Sequence, residues 1–460
     1  MPKVVDLPIL PIDTGRYGSP EMRRIFEEEN RLQKILTVES AVAYAQAMVG
    51  VIPKSVAEEI HKKASVKFVK LERCKQIDAE IGHDLMAIVR ALTEVCESEA
   101  ARYVHYGLTS YDVEDTATSL QFKEALETVE RDLLELEGIL LRLVQEHRNT
   151  VMPGRTHGQH MGVVTLGFKF AVWLREVARH LARLNEIRER ALVGKIMGAV
   201  GTGAGLGEKA IRIQKIALEK VGLKPADMVT QIIQRDIHAE VISFLVLVAS
   251  SLDKFALEIR NLQRTEIQEL MEPFRLEKQV GSSAMPAKRN PVVSERISSL
   301  AKIMRSMVVP SLENVPMWHE RDLTNSANER FIFPMSFIIV DEMLKGMNRV
   351  LKGLEVLPEN MKRNLELTKG LIMSERVVNK LVEKGLGRQE AHELVRKCSM
   401  KALRENTDFR TGLIQDKEIA SELSLDEIDE LLDYSTYLGV TQQLIDNALK
   451  LTRDERKVRT

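Results

Sequence analysis

Aromatic residues make up only 5% of this 460-residue chain, and cysteine occurs three times. With few aromatics and abundant Leu, Glu, Lys, Arg, Ala and Met, the composition favours helix over sheet. Cys74, Cys96 and Cys398 are far apart and form no CxxC. That excludes a disulfide framework or a cysteine-based zinc site, and is expected of reduced thiols in a cytoplasmic protein. Neither sign of charge is in excess: the net charge is -1 and the pI about 6.8. No overall basic field therefore draws nucleic acid, although a few local Arg or Lys residues suffice for a small anion. Long apolar runs are missing too. The most apolar segment, Val241 to Leu252, lies between Glu240 and Asp253 and is far shorter than the roughly 20 residues that cross a bilayer. The N-terminal apolar stretch is broken by Pro8 and Pro11 and makes a poor signal peptide. No membrane or nucleic-acid partner is expected.

Proline and glycine are absent where their absence is informative. Neither occurs between Pro225 and Pro273, and in that window Ile237, Val241, Phe244, Leu245, Val248, Leu252, Phe255, Ile259 and Leu262 recur at three- and four-residue steps. The spacing predicts a helix over about 233–271, on the order of 60 Å long. Comparable stretches run from Val113 to Asn149, from Thr165 to Leu192 and roughly from Val292 to Val309. No alternating strand pattern of similar length competes with them. The expectation is an all-α fold of three helical domains, with a central bundle of long antiparallel helices over 111–362. Shorter helices would occupy 1–110 and a smaller helical unit 363–460.

A bundle alone carries no function, so the connecting segments decide. GSSAMPAKRNP, residues 281 to 291, puts two serines, a lysine and an asparagine within one loop. Its backbone N–H groups, a serine hydroxyl, Lys288 and Asn290 are suited to surround a carboxylate and stabilise added negative charge. GRTHGQH, residues 154 to 160, supplies His157, a side chain that titrates near neutral pH and suits acid–base work. His157 and His160 are three apart, but no Asp or Glu occurs over 150–175, so a metal pair lacks its further ligands. VHYGLTSYDVEDTA, from Val104 to Ala117, joins His105 to Thr109 and Ser110, which also suit a helix N-cap.

The three segments together resemble the fumarase/aspartase superfamily, whose GSSxMPxKxNP loop residues 281–291 match at every fixed position. In detail the chain is similar to the adenylosuccinate lyase family. This narrower likeness is carried by Arg16-Tyr17, HYGLTS, TQIIQRD at 230–236, ENVPMWHERDLTNSANER at 313–330 and PENMKRNLELTKGLIMSERV at 358–377. The resemblance implies an acid–base β-elimination that releases fumarate from a succinylated purine nucleotide, without cofactor or metal. It implies Ser282 as base and His157 as acid, with Lys288 and Asn290 holding the doubly charged carboxylate. Glu295 matches the acidic partner of the catalytic histidine. His83 and His105 match substrate-contacting histidines, His83 being counted with the catalytic groups. Thr109, Ser110 and Gln231 match positions for the succinyl carboxylates. Arg16, Tyr17, Arg321, Ser326 and Arg330 match nucleotide and phosphate contacts, and Asp84, Thr156 and Ser283 are counted with the substrate-binding set. A homotetramer with active sites shared between subunits is also implied.

The chain departs from the family pattern at three places. Ala287 stands where a histidine is common, Met161-Gly162-Val163 where an Ala-Glu-Pro run is common, and Gly82 where some relatives have arginine. Since GRTHGQH also occurs in relatives that act on carboxymuconate, a 3-carboxymuconate cycloisomerase-like enzyme is the alternative. Those relatives lack the tyrosine of HYGLTS and the WHERDLTNS stretch. The glycine-rich run from Gly194 to Gly207 suggests a dinucleotide loop, but it follows a helical pattern with no βαβ unit around it. A non-catalytic scaffold would be expected to have lost Ser282, His157 or Lys288, and all three are present.

Overall fold

A computed structural model describes residues 9–275 and 277–459. Helix dominates. The long elements are Glu28–Met48, Ser110–Glu146, Leu166–Ala191, Arg235–Leu262 and Ser326–Lys352, with Val292–Ser306 shorter. Among the described residues the strands form only two-stranded pieces. The expected all-α class therefore stands.

One expectation on element bounds changes, and one long helix was not foreseen. The helix read over about 233–271 ends at Leu262, although neither glycine nor proline follows until Pro273. Its end is set by tertiary hydrogen bonds. The Gln263 amide donates to the Arg289 carbonyl at 3.0 Å, Gln268 turns left-handed at φ 49°, and the Glu269 N–H returns to the Leu262 carbonyl at 2.9 Å. The long helix Ser326–Lys352 contains Pro334, which as a breaker hid it from a pattern reading.

The chain divides into two compact units. The first comprises residues up to Leu134, with His180–Asp253 and Arg296–Gly346. Its core packs Leu32, Ile35, Leu36, Val42 and Ala45 of one helix with Leu85, Ile88 and Leu92 of Asp84–Val95 and with Ile213, Ala217 and Leu218 of Ala210–Val221. These residues recur at helical spacing, so each helix buries one stripe. A second layer is aromatic: Phe122 meets Phe333 at 5.0 Å and Phe337 at 5.2 Å, and His238 stacks on Phe333 at 5.4 Å.

The second unit comprises Glu135–Arg179, Lys254–Glu295 and the chain from Met347 onward. Trp173 stacks on Phe255 at 4.6 Å. Its C-terminal helices bury Val377, Leu381, Leu394, Val395, Phe409 and Leu413. Asp408, Asp416 and Ser424 cap helix starts here, the last in a reciprocal capping box with Glu427. Among the described residues no helix is long and apolar enough to cross a membrane.

Candidate active site

In the first unit, six of the sequence-predicted residues line one cleft of about 350 Å³: His83, Asp84, Ser110, Arg321, Ser326 and Arg330. Four of them, His83, Asp84, Ser110 and Ser326, sit at a helix start. Gly82 closes helix Leu71–Ile81 in the left-handed region, at φ 66°, a conformation that favours glycine. His83 then caps the next helix, its Nδ1 accepting the Met86 N–H at 3.4 Å. Asp84 at the helix start accepts from Arg330 Nη2 at 2.8 Å. Arg321 lies flat on the Tyr111 ring, 3.6 Å from its centroid, and donates to Gln231 Oε1 at 3.0 Å. Glu114 also lines this cleft; burial pushes its carboxyl up to about 7 against the opposing charge of Arg31.

Beneath the cleft lies a buried charge network that the sequence did not reveal. Arg235 donates to both oxygens of Asp115 at 2.9 Å and to Glu329 at 2.8 Å, and Asn325 donates to Glu329 at 2.9 Å. The segment bearing Ser326 and Arg330 is thereby tied to helix Ser110–Glu146. A second network begins at Asp112, which is wholly buried. It accepts from the Thr109 N–H at 2.9 Å, from the Met197 and Gly198 N–H groups at 2.9 and 3.1 Å, and from Lys195 Nζ. Thr109 and Ser110 thus open a helix as their composition suggests, and the glycine-rich run is pinned to that helix start. Gln231 also donates to the Ala199 carbonyl of this run at 3.1 Å. His105 sits in a left-handed turn at φ 61°, its Nδ1 2.6 Å from Glu39 Oε1. Arg16 is exposed and half-buried Tyr17 receives the guanidinium groups of Arg16 and Arg296, each 5.9 Å from its ring centroid. Neither Arg16 nor Tyr17 lines the cleft.

In the second unit, the GRTHGQH segment is not a loop but a hairpin. Strands Val151–Thr156 and Gln159–Thr165 pair antiparallel, with Thr156 opposite Gln159. The two-residue turn is His157-Gly158, with φ 53° and 76°, the positive pair a type I′ turn requires. His157 is therefore exposed at the hairpin tip. Arg155 anchors the ribbon by a bidentate pair with Glu269, at 2.6 and 2.9 Å, and Asn364 donates to the same carboxylate at 2.8 Å. Glu269 is wholly buried, and such a forked pair fixes orientation as well as charge. Thr156 lines a neighbouring cleft of about 570 Å³ with Arg155, Lys169 and Trp173.

The Gly281–Pro291 loop closes on itself. Asn290 Nδ2 donates to the Gly281 carbonyl at 2.8 Å, and the Lys288 N–H to the Met285 carbonyl at 3.0 Å. A Cβ at residue 281 would overlap the Lys288 carbonyl oxygen, so only glycine fits there. Ser282 Oγ accepts the Ala284 and Met285 N–H groups, both at 3.2 Å. Two backbone dipoles aimed at one hydroxyl oxygen favour its deprotonated form. Lys288, Asn290 and Glu295 line a cleft of about 780 Å³ with Met285, Ala287, Arg264 and Gln268. Ser283 is exposed, and His157 is not among the residues lining this cleft. After the loop, Glu272 accepts the Val293 and Ser294 N–H groups at 3.1 and 2.6 Å, capping helix Val292–Ser306. Glu269, Glu272 and Gln263 thus hold both the hairpin and the loop's exit, yet nothing in their sequence context distinguishes them.

Among the described residues no cluster of three or more His, Cys, Asp or Glu is placed to hold a metal ion. The second unit offers a hydroxyl under two N–H dipoles, an ammonium group in the same loop and an exposed imidazole, and the first offers an arginine-lined cleft. That inventory suits proton transfer beside a carboxylate.

Comparison with known proteins follows these features. A family described as lyase matches residues 15–304, and one described as adenylosuccinate lyase C-terminus matches residues 370–448. An adenylosuccinate lyase of Pyrococcus horikoshii is 54% identical over 444 residues, covering 96% of this chain and 98% of its own. One from Methanocaldococcus jannaschii is 48% identical, covering 97% and 96%. Among solved structures, a 3-carboxy-cis,cis-muconate lactonizing enzyme from Pseudomonas putida superposes with a TM-score of 0.89 at 34% identity, over 97% of this chain and 100% of that one. A fumarate lyase from Mesorhizobium sp. BNC1 does so with a TM-score of 0.88 at 33% identity, over 96% and 100%.

Proposed function

The chain belongs to the adenylosuccinate lyase family, and from that premise we propose that it releases fumarate from adenylosuccinate, giving AMP, and from the corresponding succinylated aminoimidazole carboxamide ribotide. The observation that carries this reading is identity of 54% across nearly the whole length of a relative of that activity. The solved lactonizing enzyme shares the fold at 34% identity, which makes a cycloisomerase the lesser alternative.

The elimination removes a proton from the carbon beside a succinyl carboxylate, and the electron pair moves onto that carboxylate. The dianion then collapses, forming the fumarate double bond and breaking the C–N bond, while an acid delivers a proton to the departing nitrogen. We assign the first transfer to Ser282, whose oxygen already accepts two backbone N–H groups. Lys288 and Asn290 would hold the dianion, where stabilisation matters most. His157 would protonate the nitrogen and Glu295 would orient it. His83, His105, Thr109, Ser110 and Gln231 would hold the succinyl group. Arg16, Tyr17, Arg321, Ser326 and Arg330 would hold the nucleotide and phosphate, with Asp84, Thr156 and Ser283 in support. Arginine's fork suits the phosphate.

A homotetramer in the cytoplasm, with sites shared between subunits, completes the proposal. Large apolar side chains left exposed on the long helices, such as Leu247 and Leu257 at 51% and 57%, favour such burial. The test is to mix purified protein with adenylosuccinate, follow the ultraviolet change and assay fumarate separately. Stoichiometric fumarate and AMP are expected. Folded protein that leaves adenylosuccinate intact but turns over 3-carboxymuconate would transfer the assignment to the cycloisomerase.

A further inference from the structure

Helix Glu28–Met48 is deeply buried, yet Glu39, Ser40 and Gln46 on it are polar and only 3%, 6% and 1% exposed. A carboxylate in that position is costly unless it is paired. Glu39 Oε1 lies 2.6 Å from His105 Nδ1, and Gln46 Nε2 donates to the Tyr106 carbonyl at 2.7 Å. Two buried side chains of one helix therefore serve a single turn. The Gln46 bond is sufficient to tether that turn's backbone, so tethering does not explain the carboxylate on the ring. His105 also adopts φ 61°, which a residue with a Cβ rarely takes and which marks a conformation imposed by its surroundings.

We propose that Glu39 is a positioning residue for the elimination: its carboxylate fixes the His105 ring through Nδ1, keeps it cationic, and leaves the Nε2–H to bind an anionic group of the succinylated nucleotide. This rests on His105 being a substrate contact. The charged groups facing the ring are Glu39 from its own buried helix and Asp112 from helix Ser110–Glu146, the latter already engaged by Lys195. Burial works against the imidazolium, but Glu39, by charge and by hydrogen bond, and then Asp112 outweigh it and hold the His105 pKa above its ordinary value. The cation is thus retained to higher pH than in a free imidazole. Without Glu39 it would be lost at lower pH, and affinity for an anion would go with it.

The experiment pairs Glu39→Gln with a histidine NMR titration of the uncomplexed protein, the His105 signal being assigned by its loss in His105→Asn. The expected result has three parts. The His105 pKa falls, KM for adenylosuccinate at neutral pH rises on the order of tenfold, the scale of one charge-assisted hydrogen bond, and kcat changes by less than about threefold. The rise of KM with pH begins at lower pH than in the parent, and Glu39→Asp restores part of the affinity. An unchanged His105 pKa overturns the pairing. A lowered pKa with unchanged KM overturns the link to substrate, and so does an equal loss in kcat and kcat/KM. If His105→Asn itself leaves KM unaltered, it is the substrate-contact reading that fails. Should Glu39→Gln not fold, the same titration and KM profile on Glu39→Asp decide between these outcomes.

Discussion

The cleft of the first unit and the Gly281–Pro291 loop of the second are built in opposite ways. Cleft residues such as His83, Asp84, Ser110 and Ser326 sit at helix starts above buried ion pairs, with Arg235, Asp115 and Glu329 all nearly inaccessible. The loop is mostly exposed and is closed by a few hydrogen bonds among its own residues. On the roles proposed for them, the difference follows from what each must do. A cleft that recognises a fixed anion gains from donors already oriented before binding. A group that transfers a proton must stay within reach of a substrate that arrives and departs, and loops on a rigid frame meet that need. Stability and chemistry should therefore separate under mutation.

The most severe test falls on the frame. Arg235→Met strands two buried carboxylates and should cost about 3–5 kcal/mol of stability, read from denaturant midpoints. A loss below about 1 kcal/mol would mean that the network holds nothing. Next come the groups assigned here to proton transfer. Ser282→Ala and His157→Gln should each lower kcat roughly a hundredfold or more while leaving the melting temperature unchanged. A variant of either that unfolds would erase the contrast, and one of near-parental rate would remove that residue from its role. Gly281→Ala sharpens the same point without touching a functional group. Its methyl meets the Lys288 carbonyl, so loop closure should fail and kcat fall about tenfold, again with little change in melting temperature.

An effect confined to acid concerns stability of the buried layer. Burial, with Arg235 nearby, pushes the His238 pKa down to about 3 from its ordinary 6.5. Between those values the unfolded chain holds a proton that the folded one lacks, so stability declines as pH falls from about 6.5 towards 3. His238→Phe, keeping the stack on Phe333, should flatten that decline in thermal melts across pH. An acid limb unchanged in slope would show that His238 does not contribute to it.

How much of this was legible in the sequence varies with the physics behind each feature. Helical periodicity revealed Arg235–Leu262 because apolar spacing reports burial directly. It did not reveal where that helix stops, since the stop is set by Gln263 bonding to Arg289, a contact between residues far along the chain. The hairpin was hidden because its ribbon carries no alternating pattern and its turn is His157-Gly158 in place of the usual Asn-Gly. The loop and the arginines were legible as strings of unusual residues. Glu39, Arg235 and Glu269 were not, because a charged side chain looks solvated until the fold surrounds it.

The proposed roles place binding in a preformed cleft and chemistry in the loop. Equilibrium binding of adenylosuccinate to the Ser282→Ala protein tests this placement most directly. The prediction is a Kd within about threefold of the parental KM, with fumarate release lost. A Kd weakened as far as turnover would place Ser282 in substrate recognition and contradict the division between the two regions.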